Sequence, residues 1–281
     1  MSNQAFTNLL DPELPDKRSM RRYWGRLYGS SEALALIAAV EKSKKLLVVV
    51  TANLNSAHRL TEELKFYRST TSSYPILSFP DWETLPYDLF SPYQDIISQR
   101  LATLVTLSTL ETGILVVPVT TVMHRLIPGD YLSSHSLLLQ SGQPLNIDEF
   151  RSNLQKNGYR IVSQVSEHGD VAIRGSLLDI YPMGTDEPYR IDLFDEEIDS
   201  IRIFDPESQR SLNKVSEIRL LPAREVAMDD EFVARFRKNW RSRFEGNPNN
   251  SPVYRDVSDG IAPAGIEYYL PLFYEETFSL F

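Results

Sequence analysis

The sequence contains no cysteine. That removes disulfides, thiolate nucleophiles and cysteine-ligated metals at once, and a cytoplasmic location fits. Basic charge is also short: 29 Lys and Arg stand against 38 Asp and Glu, for a net charge of −9. A nucleic-acid groove as the main surface is disfavoured, because phosphate binding needs clustered cations. No run approaches about 18 consecutive apolar residues, so no membrane span is expected. The opening residues lack the basic start and apolar middle of a signal peptide and read as a polar tail over residues 1–20. The four histidines, His58, His124, His135 and His168, share no metal-ligand spacing. No G-x-S-x-G elbow occurs. The last segment, "PLFYEETFSLF", is an apolar run without a closing signal, as expected of a piece of a longer protein.

What is present is ordinary globular material: 281 residues, 42% hydrophobic and 24% charged. This is enough for one large domain or two small ones. Ser30 to Val40 reads as an apolar helix and "KKLLVVVT" as a buried strand. A helix opens at Ser56 with Ala57, Leu60 and Leu64 on one face. "YPILSFP" is a short strand. "SPYQDIISQRLATLVTLSTLETG" is a helix with Ser91 as its cap and Pro92 in its first turn, stopping at Gly113. "GILVVPV" is another buried strand. Apolar strands alternating with helices predict a parallel, helix-covered sheet.

After residue 132 the pattern changes. A helix near Asp148 to Lys156, closed by Gly158, precedes the runs "YRIVSQV", "DVAIRGSLLDIY", "YRIDLF" and "DSIRIF". These alternate, as an antiparallel sheet with one wet face would. The expected organisation is a first α/β domain over 21–132, an inserted α+β domain over 133–216, and a return to the first domain over 217–281, where Phe232, Phe236 and Trp240 share a helical face.

Four constellations could carry chemistry. "GRLYGSS" (Gly25, Gly29, Ser30, Ser31) precedes a helix as a phosphate-binding loop does, but its glycines are one residue too close and Ser30 stands where the lysine belongs. A plain glycine turn and a degenerate loop both fit. "IDLFDEE" imitates a Walker-B strand, yet Asp192 interrupts the apolar run. The acidic groups at 81–83, 195–197 and 229–231 read as solvated turns, the last opening a helix. The fourth constellation is a strand face. In "PYRIDLF", Tyr189, Ile191 and Leu193 alternate with Arg190, Asp192 and Phe194, and in "DVAIRGS" Arg174 and Ala172 share the outer side. An exposed ring among arginines and an acid able to hold them suits an interface. A solvated face with Phe194 tucked under a loop suits the pattern too.

Long specific motifs add a resemblance. "FPDWETLPYDLFSPYQDIISQRLATL" (79–104), "HGDVAIRGSLLDIYPMG" (168–184), "PYRIDLFDEEIDSIRIFDPESQRS" (188–211) and "PAGIEYYLPLF" (263–273) strongly resemble the N-terminal region of bacterial transcription-repair coupling factors. The resemblance implies a region similar to the excision-repair protein UvrB: a helicase-like parallel sheet with flanking helices, as in a degenerate P-loop NTPase-like domain, interrupted by an inserted α+β UvrA-binding domain. It implies no catalysis and no cofactor here, ATP and Mg²⁺ belonging to a motor elsewhere in the parent protein. "PYDLF" runs directly into "SPYQD", which leaves no room for the DNA-clamping hairpin of UvrB. The partners implied are UvrA, through Arg174, Arg190, Phe194 and Asp192, and the C-terminal part of the parent chain as an autoinhibitory cover. RNA polymerase and DNA would be met through other parts, and no membrane is implied. A purely structural or autoinhibitory domain, or one with residual nucleotide or DNA binding, are the alternatives.

Overall fold

The structure is a computed structural model that describes residues 8–17, 19–86 and 88–280. In chain order its elements are helix α1 (Ser31–Ser43), strand β1 (Leu46–Thr51), α2 (Leu54–Tyr67), β2 (Ile76–Ser78), α3 (Gln94–Leu107), β3 (Gly113–Pro118), and two short helices, α4 (Val119–Val122) and α5 (Gly129–Ser134). There follow β4 (Leu137–Gln140), α6 (Ile147–Lys156), β5 (Arg160–Ile161), β6 (Asp170–Arg174), β7 (Leu177–Ile180), β8 (Tyr189–Phe194), β9 (Glu197–Phe204), β10 (Ser211–Val215), β11 (Glu217–Leu220), α7 (Asp230–Arg243) and α8 (Pro252–Ser258). The fold is mixed α/β. Among the described residues no helix is long and apolar enough to cross a membrane.

Two compact units divide the chain. The first holds the described residues up to Asp81 together with Thr106–Met123. Its sheet has the order β1-β3-β2, parallel throughout. Ala33, Leu36, Ile37 and Val40 recur at helical spacing along α1, and Ala57, Leu60 and Leu64 along α2; both sets join Ile114 and Val116 of β3 in one core. Asn53, not Ser56, caps α2, its side chain accepting from the Ser56 amide at 2.9 Å. Only β3 is buried along its whole length. The run "LLVVVT" instead makes an edge strand with Val50 exposed, because β3 alone has a neighbour on each side. Residues 1–7 and Arg18 of the expected polar tail lie outside the described residues. Asp11 in the described part is pinned to α1 by Lys42 Nζ at 2.5 Å.

The second unit holds the described residues of Trp82–Val105 and those from His124 on. Its main sheet has the order β10-β9-β8-β7-β6-β5, antiparallel except for the β5–β6 pair. Val171, Leu178, Ile180, Ile191 and Ile201 on its inner face share a core with Phe150 and Leu154 of α6 and with Phe236 and Trp240 of α7. The units are cut elsewhere than the expected boundaries after 132 and 216. β11 pairs antiparallel with β4, and Arg100 of α3 reaches Glu225, so segments from both expected domains are tied into one unit. α3 starts at Gln94, three residues after the expected cap; the Ser91 hydroxyl instead accepts from the Gly265 amide at 3.3 Å.

Charge inside this unit is costly and is met by partners. Arg100 and Glu225 are both fully buried; Nε donates to one carboxylate oxygen at 2.5 Å and Nη2 to the other at 3.3 Å. Trp82 Nε1 adds a third donor to Glu225 at 3.3 Å, and the Arg100 guanidinium lies 4.8 Å from the Trp82 ring. Removing one member of such a pair strands the other charge. Glu225→Gln is expected to lower the unfolding free energy by about 3 kcal/mol, read from urea denaturation.

Glu267 is the opposite case. One of its oxygens is buried without a hydrogen-bond partner. Withdrawal from water is the largest influence on it and raises its pKa to about 7, although Arg224 and Arg100 pull the other way. Unfolded, the carboxyl returns to its ordinary 4.5. Between these values the folded chain holds a proton that the unfolded chain has released. The folded state is therefore favoured below the lower value and loses stability as pH rises through the higher one. Allowing for partial exposure, the loss is about 1–3 kcal/mol. Glu267→Gln should flatten the melting temperature between pH 5 and 8, where the parent chain's falls; parallel profiles would show that Glu267 does not hold this proton.

Candidate functional site

The turn between β6 and β7 decides which residues meet on the sheet. "DVAIRGSLLDIY" is not one strand: Gly175, with φ of +60°, reverses the chain between Arg174 and Leu177. The reversal sets Ala172 opposite Asp179 and Arg174 opposite Leu177. β8 then places Arg190 beside Asp179 and Asp192 beside Leu177. On the far side β9 sets Arg202 beside Arg190 and Ser200 beside Asp192. Directly opposed residues share a face. The outer face thus carries one row of Ala172, Asp179, Arg190 and Arg202, and a second of Arg174, Leu177, Asp192 and Ser200.

Phe194 ends β8 on this face and is 73% exposed. No loop covers it. It pairs with Glu197 across the turn that Asp195 makes at φ of +54°. The inner alternation holds as well, with Ile191 and Leu193 buried.

The ion pairs differ from the expected ones. Asp192 holds neither Arg174 nor Arg190. It accepts from Arg202 Nη1 at 2.8 Å and from the Ser200 hydroxyl at 3.1 Å. The acid between the two arginines is Asp179, whose side chain has no exposure. Arg190 gives it Nε at 2.7 Å and Nη2 at 2.9 Å, and Arg174 gives it Nη2. The bond to Asp179 is also the first cause of an Arg190 pKa above its ordinary value. The remaining Arg190 nitrogen donates to the Gln209 carbonyl at 3.1 Å, and its guanidinium stands 5.0 Å from the Phe204 ring. Phe204 forms a small apolar cluster with Val165 and Ala172. Asp179 and Arg202 were not among the expected site residues. Alternation within "LLDIY" and "SIRIF" does point both outward, but their partners depend on the hairpin register.

Gly25, Gly29, Ser30 and Ser31 belong to the first unit and form an ordinary turn into α1. Gly29 takes φ of +59°. The Ser31 hydroxyl donates to the Tyr28 carbonyl at 2.8 Å, and the Ser30 hydroxyl is 2.8 Å from that of Tyr67. Among the described residues no strand precedes this turn, unlike a strand–loop–helix phosphate site. Among the described residues no cluster of His, Asp and Glu has the makings of a metal site. His168 sits between Asp95 and the Thr185 carbonyl, at 2.7 Å from each.

The family described as the UvrB interaction domain matches residues 137–226, which include the whole of the Arg174–Phe194 face. The transcription-repair-coupling factor of Escherichia coli (strain K12) is 45% identical over 94% of this chain, and that of Haemophilus influenzae 44% identical over 98%. The protein of the same name from Bacillus subtilis (strain 168) is 30% identical over 90%. The chain covers 23%, 24% and 22% of these relatives, so it spans about a quarter of their length. Over nearly its whole length the chain is similar to about a quarter of the extent of transcription-repair-coupling factors, and its residues 137–226 match the UvrB interaction domain.

Proposed function

We propose that this chain is a non-catalytic UvrB-like module of a transcription-repair coupling factor, and that the outer face of its six-stranded sheet binds UvrA and recruits it to RNA polymerase stalled at damage. The observation that carries the reading is Phe194, a large ring left in solvent on the sheet face that also carries Arg174, within the residues that match the UvrB interaction domain. A ring so placed gains by entering an apolar pocket on a partner. Arg174, Arg190 and Asp192 on the same face supply the charge and the orientation on which affinity for that partner also depends. In this reading the first unit is a helicase-like layer whose Gly25–Ser31 turn is a degenerate phosphate loop. Support for that comes from Ser30 at the lysine position and from serine hydroxyls bonded within the unit.

The test is calorimetric titration of UvrA into the chain, with Phe194→Ala and Arg190→Ala alongside. Burying a Phe contributes about 1.5–3 kcal/mol, so Phe194→Ala is expected to weaken binding about ten- to a hundredfold. Its exposure means that the same change should leave the unfolding free energy within about 0.5 kcal/mol. Arg190→Ala should lose most of the affinity while keeping the far-UV circular dichroism of the parent. If the parent chain does not bind UvrA, the recruiting role fails, and the face fits a contact within the longer protein instead.

A further inference from the structure

The proposed contact leaves one buried group without a role. Asp179 cannot be touched by any partner, because its side chain is wholly enclosed. It nevertheless joins the two arginines of the face. We infer that Asp179 is a positioning residue: it locks Arg190 into the sheet and holds Arg174 outward as the guanidinium that meets an acidic group on the partner. The identity of that partner as UvrA rests on the reading above; the positioning does not.

The donors divide the two arginines sharply. Every nitrogen of Arg190 has a partner within the domain: Nε and Nη2 on Asp179, Nη1 on the Gln209 carbonyl and, at 3.4 Å, the Ser211 hydroxyl. Its side chain is 14% exposed and stands against the Phe204 ring. Little of Arg190 is left to offer. Arg174 engages Asp179 through Nη2 alone, and its side chain is 49% exposed. It stands in the same row as Asp192, two residues before Phe194 on β8.

Charge leads to the same division. One carboxylate between two guanidiniums leaves the trio at +1, whereas Asp192 and Arg202 cancel. The excess lies where Arg174 is exposed, so the matching group on the partner is an acid. Tethering Arg174 also removes rotamer freedom before binding, which lowers the ordering entropy lost on association. Arg190 and Asp179 thus act on the partner through Arg174, while Phe194 acts directly.

The experiment is a set of double-mutant cycles in UvrA affinity, with side-chain ¹⁵N NMR of the arginines in the free chain. Asp179→Asn, which keeps the shape and removes the charge, is expected to weaken UvrA binding at least about tenfold while the chain still melts cooperatively. Arg174→Ala should then cost less than about threefold further in the Asp179→Asn background, whereas Phe194→Ala should multiply in full. In the free chain, slowed rotation of the Arg174 guanidinium and sharp, protected Arg190 signals are expected, and both should disappear in Asp179→Asn. Unchanged affinity in folded Asp179→Asn, or independent Arg174 and Asp179 effects, overturns the inference. If Asp179→Asn does not fold, Asp179→Glu keeps the charge but displaces it, and the same losses are expected of it. If the parent chain binds no UvrA, the partner reading fails by itself. The NMR comparison then decides the positioning alone: Arg174 signals identical with and without the Asp179 carboxylate would overturn it.

Discussion

A carboxylate taken out of water has to be met by donors and by opposite charge, and the wet face of the six-stranded sheet is arranged around that demand at Asp179. Gly175 supplies the reversal that brings β7 alongside β6, and the register of β8 then carries Arg190 to the acid. With Arg190 spent on Asp179, on Gln209 and on the Phe204 ring, the position of β8 against its neighbours is secured from the outer side as well as from the core. Phe194 and Arg174 are presented from that frame. A ring at the end of an isolated, loosely held strand would lose far more freedom on binding than one at the end of a strand paired on both sides.

The same unit handles buried charge in two other ways. Arg100 and Glu225 are removed from water as a pair with Trp82 as a further donor, an arrangement that is sensitive to the loss of either member. Glu267 has one oxygen left without a partner, and it answers desolvation by holding its proton up to about pH 7. Three acids at three degrees of compensation show why net charge alone says little about such a surface. The chain is acidic overall at −9, yet the exposed part of the Asp179 trio is positive. Local geometry, not composition, determines the sign of charge a face presents.

The same difference between outline and local contacts holds at two further places in the chain. The turn at Gly25–Ser31 looks in outline like a phosphate site, and its serines are spent on Tyr28 and Tyr67. The strand face looks in outline like solvated surface, and it carries a bare phenylalanine. In the first case the hydrogen-bond partners, and in the second the exposure, say more than the motif does. An α/β frame by itself does not imply a function.

Much of this was written in the chain order of side chains. Period-two alternation in "PYRIDLF" already separates Ile191 and Leu193 from Arg190, Asp192 and Phe194, and helical spacing already groups Ala57, Leu60 and Leu64. Both follow from local backbone geometry, which repeats within a few residues. The absence of cysteine and the lysine missing before Ser31 are equally local. What required the folded molecule is pairing over distance. That Asp179 and not Asp192 holds the arginines depends on a one-glycine reversal and on register, which shifts every neighbour if it slips by a residue. The grouping of β11 with β4, and of Arg100 with Glu225 across 125 residues, depends on which apolar faces find each other in space. Alternation specifies which way a side chain points; only the tertiary structure decides what it meets there, because the partner comes from another strand whose alignment no local pattern encodes.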